Sequence, residues 1–463
     1  MLSFLFLFLS ITIVVGQVSL DRRTTVLTPH ILFQIYFIIQ LPLNLFLGTT
    51  YYLPRFTALS PLTPMSDIVW LGGLMIIAQL IFVFVIHAID ARPVTGPVAI
   101  PVTWPRTRVN LICAGIFVLG YLAFLGLVLI NGGFAAFAVT REAWRTEGVG
   151  GQGWVLFPAT TMLAIGMCAT MLNNVKQFTG RAGAVKLFVL YLIAAFPASQ
   201  LGFRALIFLP LLQAGFFYHS FIRRIPGKYI LIGSVALMMA FTLYGIQREI
   251  PYAANYGSYL EYLNYVYLTR PDITYTVALR SMGADIVQQT IDHMETFADY
   301  VLFFPIFIEA LTIAVPSSLW PGKPQPLSVK FSHDIFGIEG GVSPTILGEG
   351  YWHGGILGII ALMTLAGLLH AYFRSLQRNS KMSASSALLM LSLYPSLIMM
   401  AEAFQGYFNG IILICISNWL LGLAIGAKRV PSSETAAAIS HDVTPDRSAT
   451  ASSLTARTIV RPG

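Results

Sequence analysis

Runs of about 20 apolar residues recur from one end of this 463-residue chain to the other, and that is the length an α-helix needs to cross a bilayer's hydrocarbon core. Backbone amides cannot stay unpaired in lipid, so segments of this kind must be helical. A membrane β-barrel would instead need short strands of alternating polarity, and the sequence has none. Only 10% of residues are charged, 56% are hydrophobic and the mean hydropathy is +0.73. Soluble domains carry about 25% charged residues, which excludes that class. The expected fold is an all-α polytopic membrane protein.

The apolar runs are Leu2 to Leu20, Ile31 to Tyr52, Ile68 to Ile89, Val109 to Ile130, Trp154 to Leu172, Ala184 to Leu201, Ala205 to Ile222, Tyr229 to Ile246, Thr345 to Phe373, Ala384 to Ala401 and Phe408 to Ala427. They predict about eleven spans, or twelve if Tyr300 to Val315 crosses. No positive charge precedes the first run, so it reads as a retained span rather than a cleaved signal peptide. The formal charge of +8 is spread over helix ends rather than one face, which reports topology and not nucleic-acid binding. Lys and Arg accumulate in alternate connections: Arg22 and Arg23, Arg92 to Arg108, Lys176 to Lys186, Arg223 to Lys228, Arg374 to Lys381, then Lys428 and Arg429. The positive-inside rule sets these in the cytoplasm, with an external N-terminus and a cytoplasmic C-terminus. A crossing at 300–315 would invert everything after it, so that segment is expected to dip into or lie along the membrane. Cys113, Cys168 and Cys415 fall inside apolar runs without CxxC spacing and read as small core residues.

Four regions follow: N-terminal transmembrane helices over 1–246, a large ordered external loop with amphipathic or re-entrant helices over 247–343, C-terminal transmembrane helices over 344–428, and a disordered tail over 429–463, rich in Ser, Thr and Ala. The loop far exceeds ordinary connection length. Its tyrosines 252, 256, 259, 262 and 265 form a helical stripe, read first as a membrane-interface belt and second as a sugar-stacking face.

Polar chemistry concentrates between Val315 and Gly358. Pro316, Pro321, Pro324 and Pro326 exclude regular helix at the start of this stretch, and helix is expected to resume near Pro344. There Glu349 and His353, four residues apart, share a helix face, and Gly350, Gly354 and Gly358 repeat at the same interval on a neighbouring face that would admit another backbone. Glu349, His353 and His333 (with Asp334 beside it) are candidate general bases, and Glu402 is a second-rank one. Each has a plainer reading: Glu349 as a carboxylate that fixes a helix, His353 as a packed helix residue. Arg204, Arg248, Arg270, Arg280, Lys323 and Lys330 lie on the expected external side, where guanidinium and ammonium groups suit phosphate oxygens. HExxH, a phosphate-binding P-loop, GxSxG and Asp-x-Asp are all missing from the sequence, so no metal site is expected.

Pro316, the run Leu319-Trp320-Pro321-Gly322-Lys323-Pro324 and Gly348-Glu349-Gly350-Tyr351 leading to Gly354 resemble the signature of the oligosaccharide repeat-unit polymerases, the O-antigen polymerase (Wzy) family. Gly202-Phe203-Arg204 before an apolar helix is similar to a second element of that family. The pattern departs at Ser317 and Ser318, where the family usually has Arg. The resemblance implies a GT-C-like fold in the bacterial inner membrane and cofactor-free transfer of glycan between undecaprenyl-diphosphate-linked oligosaccharides at the periplasmic face. It also implies membrane lipids and a chain-length regulator as partners. Arg204, Arg280, Lys323, Lys330, Trp320 and Tyr351 would bind substrate, and Glu349, His353 or His333 would act as base. An O-antigen ligase shares this architecture, and a flippase for lipid-linked sugars is the reading from another class.

Overall fold

The computed structural model describes residues 1–20, 27–51, 58–89, 104–134, 136–137, 156–201, 204–230, 283–303, 327–337, 342–378 and 382–425, with isolated residues between them. Among these the regular structure is helical throughout, with no strand. The helices are α1 (Leu2–Leu20), α2 (Pro29–Gln40), α3 (Pro42–Thr50), α4 (Met65–Ile89), α5 (Arg106–Ile130), α6 (Leu163–Asn173, entered through a π turn at Pro158–Met162), α7 (Gly180–Gln200), α8 (Arg204–Phe217, continued by a π turn to Ile222), α9 (Gly283–His293), α10 (Leu327–Phe336), α11 (Thr345–Arg378), α12 (Ala384–Met399) and α13 (Phe404–Ile425).

Among the described residues, seven segments are long and apolar enough to cross a membrane: Leu2–Ser19, Pro29–Thr50, Met65–Ile89, Arg106–Ile130, Gly180–Gln200, Thr345–Arg378 and Phe404–Ile425. Leu206–Ile222 and Ala384–Met399 are shorter apolar helices packed among them. Large apolar side chains such as Phe84, Leu111, Leu129, Leu357 and Trp419 are exposed on the helix flanks. Water would not tolerate so many in one molecule, whereas lipid does. The chain is a polytopic membrane protein.

The centre of the bundle is the pair α4 and α11. A β-carbon on Gly367 would sit 2.9 Å from Val85 Cβ, so the small residue permits this close approach. Around the pair, α1 packs on α4, α2 on α12, α9 on α11, and α5, α6, α7 and α8 form a flanking group that meets α12. Polar residues inside are spent on one another: Gln34 Nε2 donates to Gln17 Oε1, and Gln79 Nε2 reaches Gln34 Oε1 and Ser10 O at 3.2 Å each.

Three elements differ from the sequence expectation. The single span expected over Ile31 to Tyr52 is two helices, because Leu41, with φ −121° and ψ −77°, leaves the helical region just before Pro42, as a residue preceding proline tends to do. Helix resumes after the proline-rich segment at Leu327, not near Pro344. The third difference is within α11. Gly354 and Gly355 have non-helical backbone, with Gly355 at φ +60°, a left-handed conformation that glycine adopts without a Cβ penalty. Gly350 and Gly358 would be about 12 Å apart along an unbroken helix at 1.5 Å per residue. Here a β-carbon on Gly350 would lie 2.8 Å from Ile359 Cα, and one on Gly358 would fall on the Gly350 carbonyl oxygen. The chain therefore doubles back sharply at 354–355, and the backbone admitted by the glycine repeat is its own rather than another helix's.

Regions the sequence singled out at 138–155, 247–257, 259–260, 262–263, 265–282 and 323–326, and the whole of 426–463, lie outside the described residues. The tyrosine stripe, Arg141, Arg145, Arg248, Arg270 and the C-terminal tail fall there.

Candidate functional site

The folded-back segment Thr345–His353 is buried along its length. Glu349 is 2% exposed and His353 is 0% exposed, although a lone ionisable group is costly to bury and demands a partner or a purpose. Glu349 has a partner by construction of the neighbouring helix: its Oε2 accepts the Gln405 amide at 2.8 Å. Gln405 is in the first turn of α13, where amides have no intrahelical acceptor and the helix dipole favours an anion. The carboxylate thus secures the start of α13.

The turn between α12 and α13 is tied to the same segment by two more bonds. The Ser343 hydroxyl donates to the Glu402 carbonyl at 2.6 Å, and the Ile346 amide to the Ala401 carbonyl at 3.2 Å. Glu402, 5% exposed, accepts the Tyr36 hydroxyl of α2 on its Oε2 at 2.9 Å. Two buried carboxylates, Glu349 and Glu402, therefore flank one helix turn. A third, Asp285 in α9, is fully buried and accepts the amides of Ala58 and Leu59 at 2.9 and 2.7 Å, fastening the connection before α4.

His353 closes the short arm. Neither ring nitrogen has a hydrogen-bond partner among the described residues, and the ring stacks on Phe303 with centroids 5.0 Å apart and planes 17° apart. The break that follows leaves helix-end carbonyls in need of donors. Val301 and Leu302 supply them, with amides 3.1 Å from the carbonyls of Trp352 and His353. To reach that position Leu302 and Phe303 adopt φ of +53° and +63°, which costs about 1–2 kcal/mol for a side-chain-bearing residue. Residues 300–303 thus form a strap over the break, with Tyr300 edge-on to Tyr351 at 6.2 Å. The strap is entered through a capping box at Phe297–Asp299. The Thr296 amide and hydroxyl, 2.7 and 2.9 Å from Asp299 Oδ2, hold that carboxyl below its usual range. As to whether 300–315 crosses the membrane, only 300–303, 306, 308 and 315 of it are described.

Of the sequence candidates, Glu349, Tyr351 and His353 come together in this buried arm. His333 and Lys330 do not join them. Phe331 of α10 packs on Trp352 at 4.8 Å and Ser332 accepts the Val342 amide at 2.5 Å, so the opposite side of α10 faces outward. His333 there is exposed and pairs with Asp334 at 3.2 Å, and Lys330 is exposed too. Trp320 is 43% exposed. The backbone of Arg204 begins α8, while its side chain, Arg280 and Lys323 lie outside the described residues. The sequence reading missed Asp285 and the role of Gln405. Asp285 was marked only by its place in the amphipathic run Gly283–His293.

A second polar group lies at the other end of the bundle. Counting from Gly355 to Arg374 at 1.5 Å per residue sets it roughly 28 Å away along α11. His30 of α2 lies within electrostatic reach of His87 of α4 and of His370 and Arg374 of α11. His30, His370 and Arg374 are each 0% exposed, and His370 Nδ1 is 2.8 Å from the Ala366 carbonyl. No grouping with metal-ligand geometry occurs among the described residues.

No protein-family model, curated protein or solved structure matches this chain.

Proposed function

We propose that this protein is a polysaccharide polymerase of the bacterial inner membrane, with about eleven spans, a GT-C-like arrangement and a cytoplasmic C-terminus. It transfers a growing glycan from its undecaprenyl-diphosphate carrier onto the next lipid-linked repeat at the periplasmic face. The observation that carries this reading is the short buried arm of α11, where the Glu349 carboxylate and the His353 imidazole, which has no hydrogen bond among the described residues, stand one turn apart at a helix break. Transfer of a sugar needs a group to take the acceptor hydroxyl's proton, and a positioned carboxylate or imidazole contributes about 10²- to 10⁴-fold. On this reading Glu349 or His353 is that base. Arg204, Arg280 and Lys323 neutralise the diphosphates without a metal, Trp320 and Tyr351 border the sugars, and a chain-length regulator is a partner. The outward-facing Lys330 and His333 fit substrate capture better than proton transfer, since neither shares the buried arm.

The test separates chemistry from architecture. Glu349→Gln keeps an oxygen for the Gln405 amide, whereas Glu349→Ala leaves that buried donor unpaired at a cost of about 1–3 kcal/mol. Both should abolish chain growth from a purified lipid-linked repeat, and only Glu349→Ala should lower the unfolding temperature. Full-length polymer from Glu349→Gln would leave the carboxylate with its helix-fixing role alone.

One observation favours a second reading. Buried ionisable groups contributed by two helices, His30 of α2 with His370 and Arg374 of α11, beside the half-buried His87 of α4, are what a transporter of lipid-linked sugars would use. Movement of a fluorescent lipid-linked sugar across proteoliposomes, lost in His370→Phe, would support it. Polymer synthesis in detergent without an energy source would not.

A further inference from the structure

A cavity of about 220 Å³ lies between α6, α8, α12 and α13. Every wall carries an irregularity. The π turn at Pro158–Met162 leads into α6, Pro210 interrupts α8 and Pro395 interrupts α12, and α13 presents Gly406 and Gly410, whose absent side chains face open space. A proline inside a helix deprives the carbonyl four residues earlier of its helical donor, and for Pro210 that residue is Leu206, itself in the lining. Such features persist inside membrane proteins where a cavity or a ligand uses the freed groups.

Two side chains in the lining are almost wholly buried and lack a full set of partners. Gln213 is 4% exposed and its Oε1 accepts nothing among the described residues, while its Nε2 only grazes the Ser392 carbonyl at 3.5 Å. Ser392 is 1% exposed and its Oγ has no hydrogen-bond partner among the described residues. Gln213 stands nine residues into α8 from Arg204, about 13 Å at 1.5 Å per residue, which is near half of a hydrocarbon core about 30 Å thick. An unpartnered amide oxygen at that depth costs several kcal/mol unless something donates to it.

We propose that this cavity is a binding site for the uncharged, hydroxyl-bearing head of a membrane glycolipid, about one sugar ring in size. Among the described residues no Lys, Arg, His, Asp or Glu lines it, so a phosphate would meet no counter-charge from them. Gln213 Oε1 and Ser392 Oγ call for hydroxyl donors, and Thr161 and Ser396 bring further hydroxyls from two different helices. A ligand with hydroxyls around its rim satisfies several walls at once, which a lipid with a single hydroxyl does not. The volume is below the roughly 300–1,000 Å³ of drug-sized pockets, in keeping with one ring. The site is separate from Glu349, though the first turn of α13 borders both, with Gln405 on the carboxylate and Gly406 in the lining. It does not depend on the transfer reaction proposed above.

The full chain, purified into nanodiscs, would be photolabelled with a diazirine-bearing alkyl glucoside and, in parallel, with a diazirine-bearing diacylglycerol, and the labelled peptides mapped by mass spectrometry. Glucoside label on α8, α12 and α13 is expected, falling about tenfold in Gln213→Leu through loss of a buried hydrogen bond. Gly410→Leu, which fills open space and leaves the hydrogen bonds intact, should remove the label while the protein stays monodisperse. Glu349→Gln should retain it, so failure of the polymerase reading and failure of this one are distinguishable. Equal labelling by the diacylglycerol, label indifferent to both substitutions, or a cavity that holds water only in the presence of the glucoside would overturn the proposal.

Discussion

At the level of single residues, the arm of α11 separates groups that hold the fold from groups that do not. Glu349 does structural work through the Gln405 amide whatever else it does. His353 makes no hydrogen bond among the described residues and stacks on Phe303, so its polarity contributes nothing to stability there. Replacing a buried polar group that has no partner with an apolar ring of similar shape is neutral or stabilising. His353→Phe is therefore expected to unfold at or above the wild-type temperature by differential scanning fluorimetry. Loss of chain growth in the same variant would assign the imidazole to chemistry, and unchanged growth would leave it a packing residue. The spacing of Glu349 and His353 was legible from sequence. That one is bonded and the other is not depended on helices far away in the chain.

Among the elements, the broken α11 is where sequence reasoning and structure part. Glycines at 350, 354 and 358 carry the spacing of a helix-packing face, and period alone does not distinguish a partner helix from the chain's own return. The break makes two expectations. Gly358→Ala would drive its methyl into the Gly350 carbonyl, and crowding of this kind costs about 1–3 kcal/mol, seen as a lowered unfolding midpoint. Gly115→Ala, in open space on α5, is its neutral control. The strap gives the opposite sign. Leu302 is 57% exposed and left-handed at φ +53°, so Leu302→Gly loses little burial and relieves about 1 kcal/mol of backbone strain. Its midpoint should rise, and a fall would mean that the leucine side chain holds the strap down.

Across the whole molecule, α4 and α11 run in the same direction, since Val85 meets Gly367 and both His87, near the end of α4, and Arg374, near the end of α11, lie within reach of His30. The Glu349 arm and the His30, His87, His370 and Arg374 group consequently sit at opposite ends of the bundle. With the Lys and Arg bias, the arm is expected outside and the histidine group near the cytoplasm. Single cysteines at Leu62, between α3 and α4, and at Gln177, between α6 and α7, both exposed, would test this in a background lacking Cys113, Cys168 and Cys415. A membrane-impermeant maleimide applied to intact cells should label the first and not the second. The reverse pattern would turn the protein over and remove the periplasmic assignment of the Glu349 arm.

Composition and the length of the apolar runs determined that this chain is a helical membrane protein, because lipid leaves a backbone no other way to pair its amides. Local rules of the same kind located the helix beginning after Pro344 and the polar stretch around it. The fold-back at Gly355, the carboxylate on α13 and the cavity beside Gln213 were decided by tertiary structure alone. Each depends on which distant backbone comes within a few ångströms, and no window of sequence contains that distance.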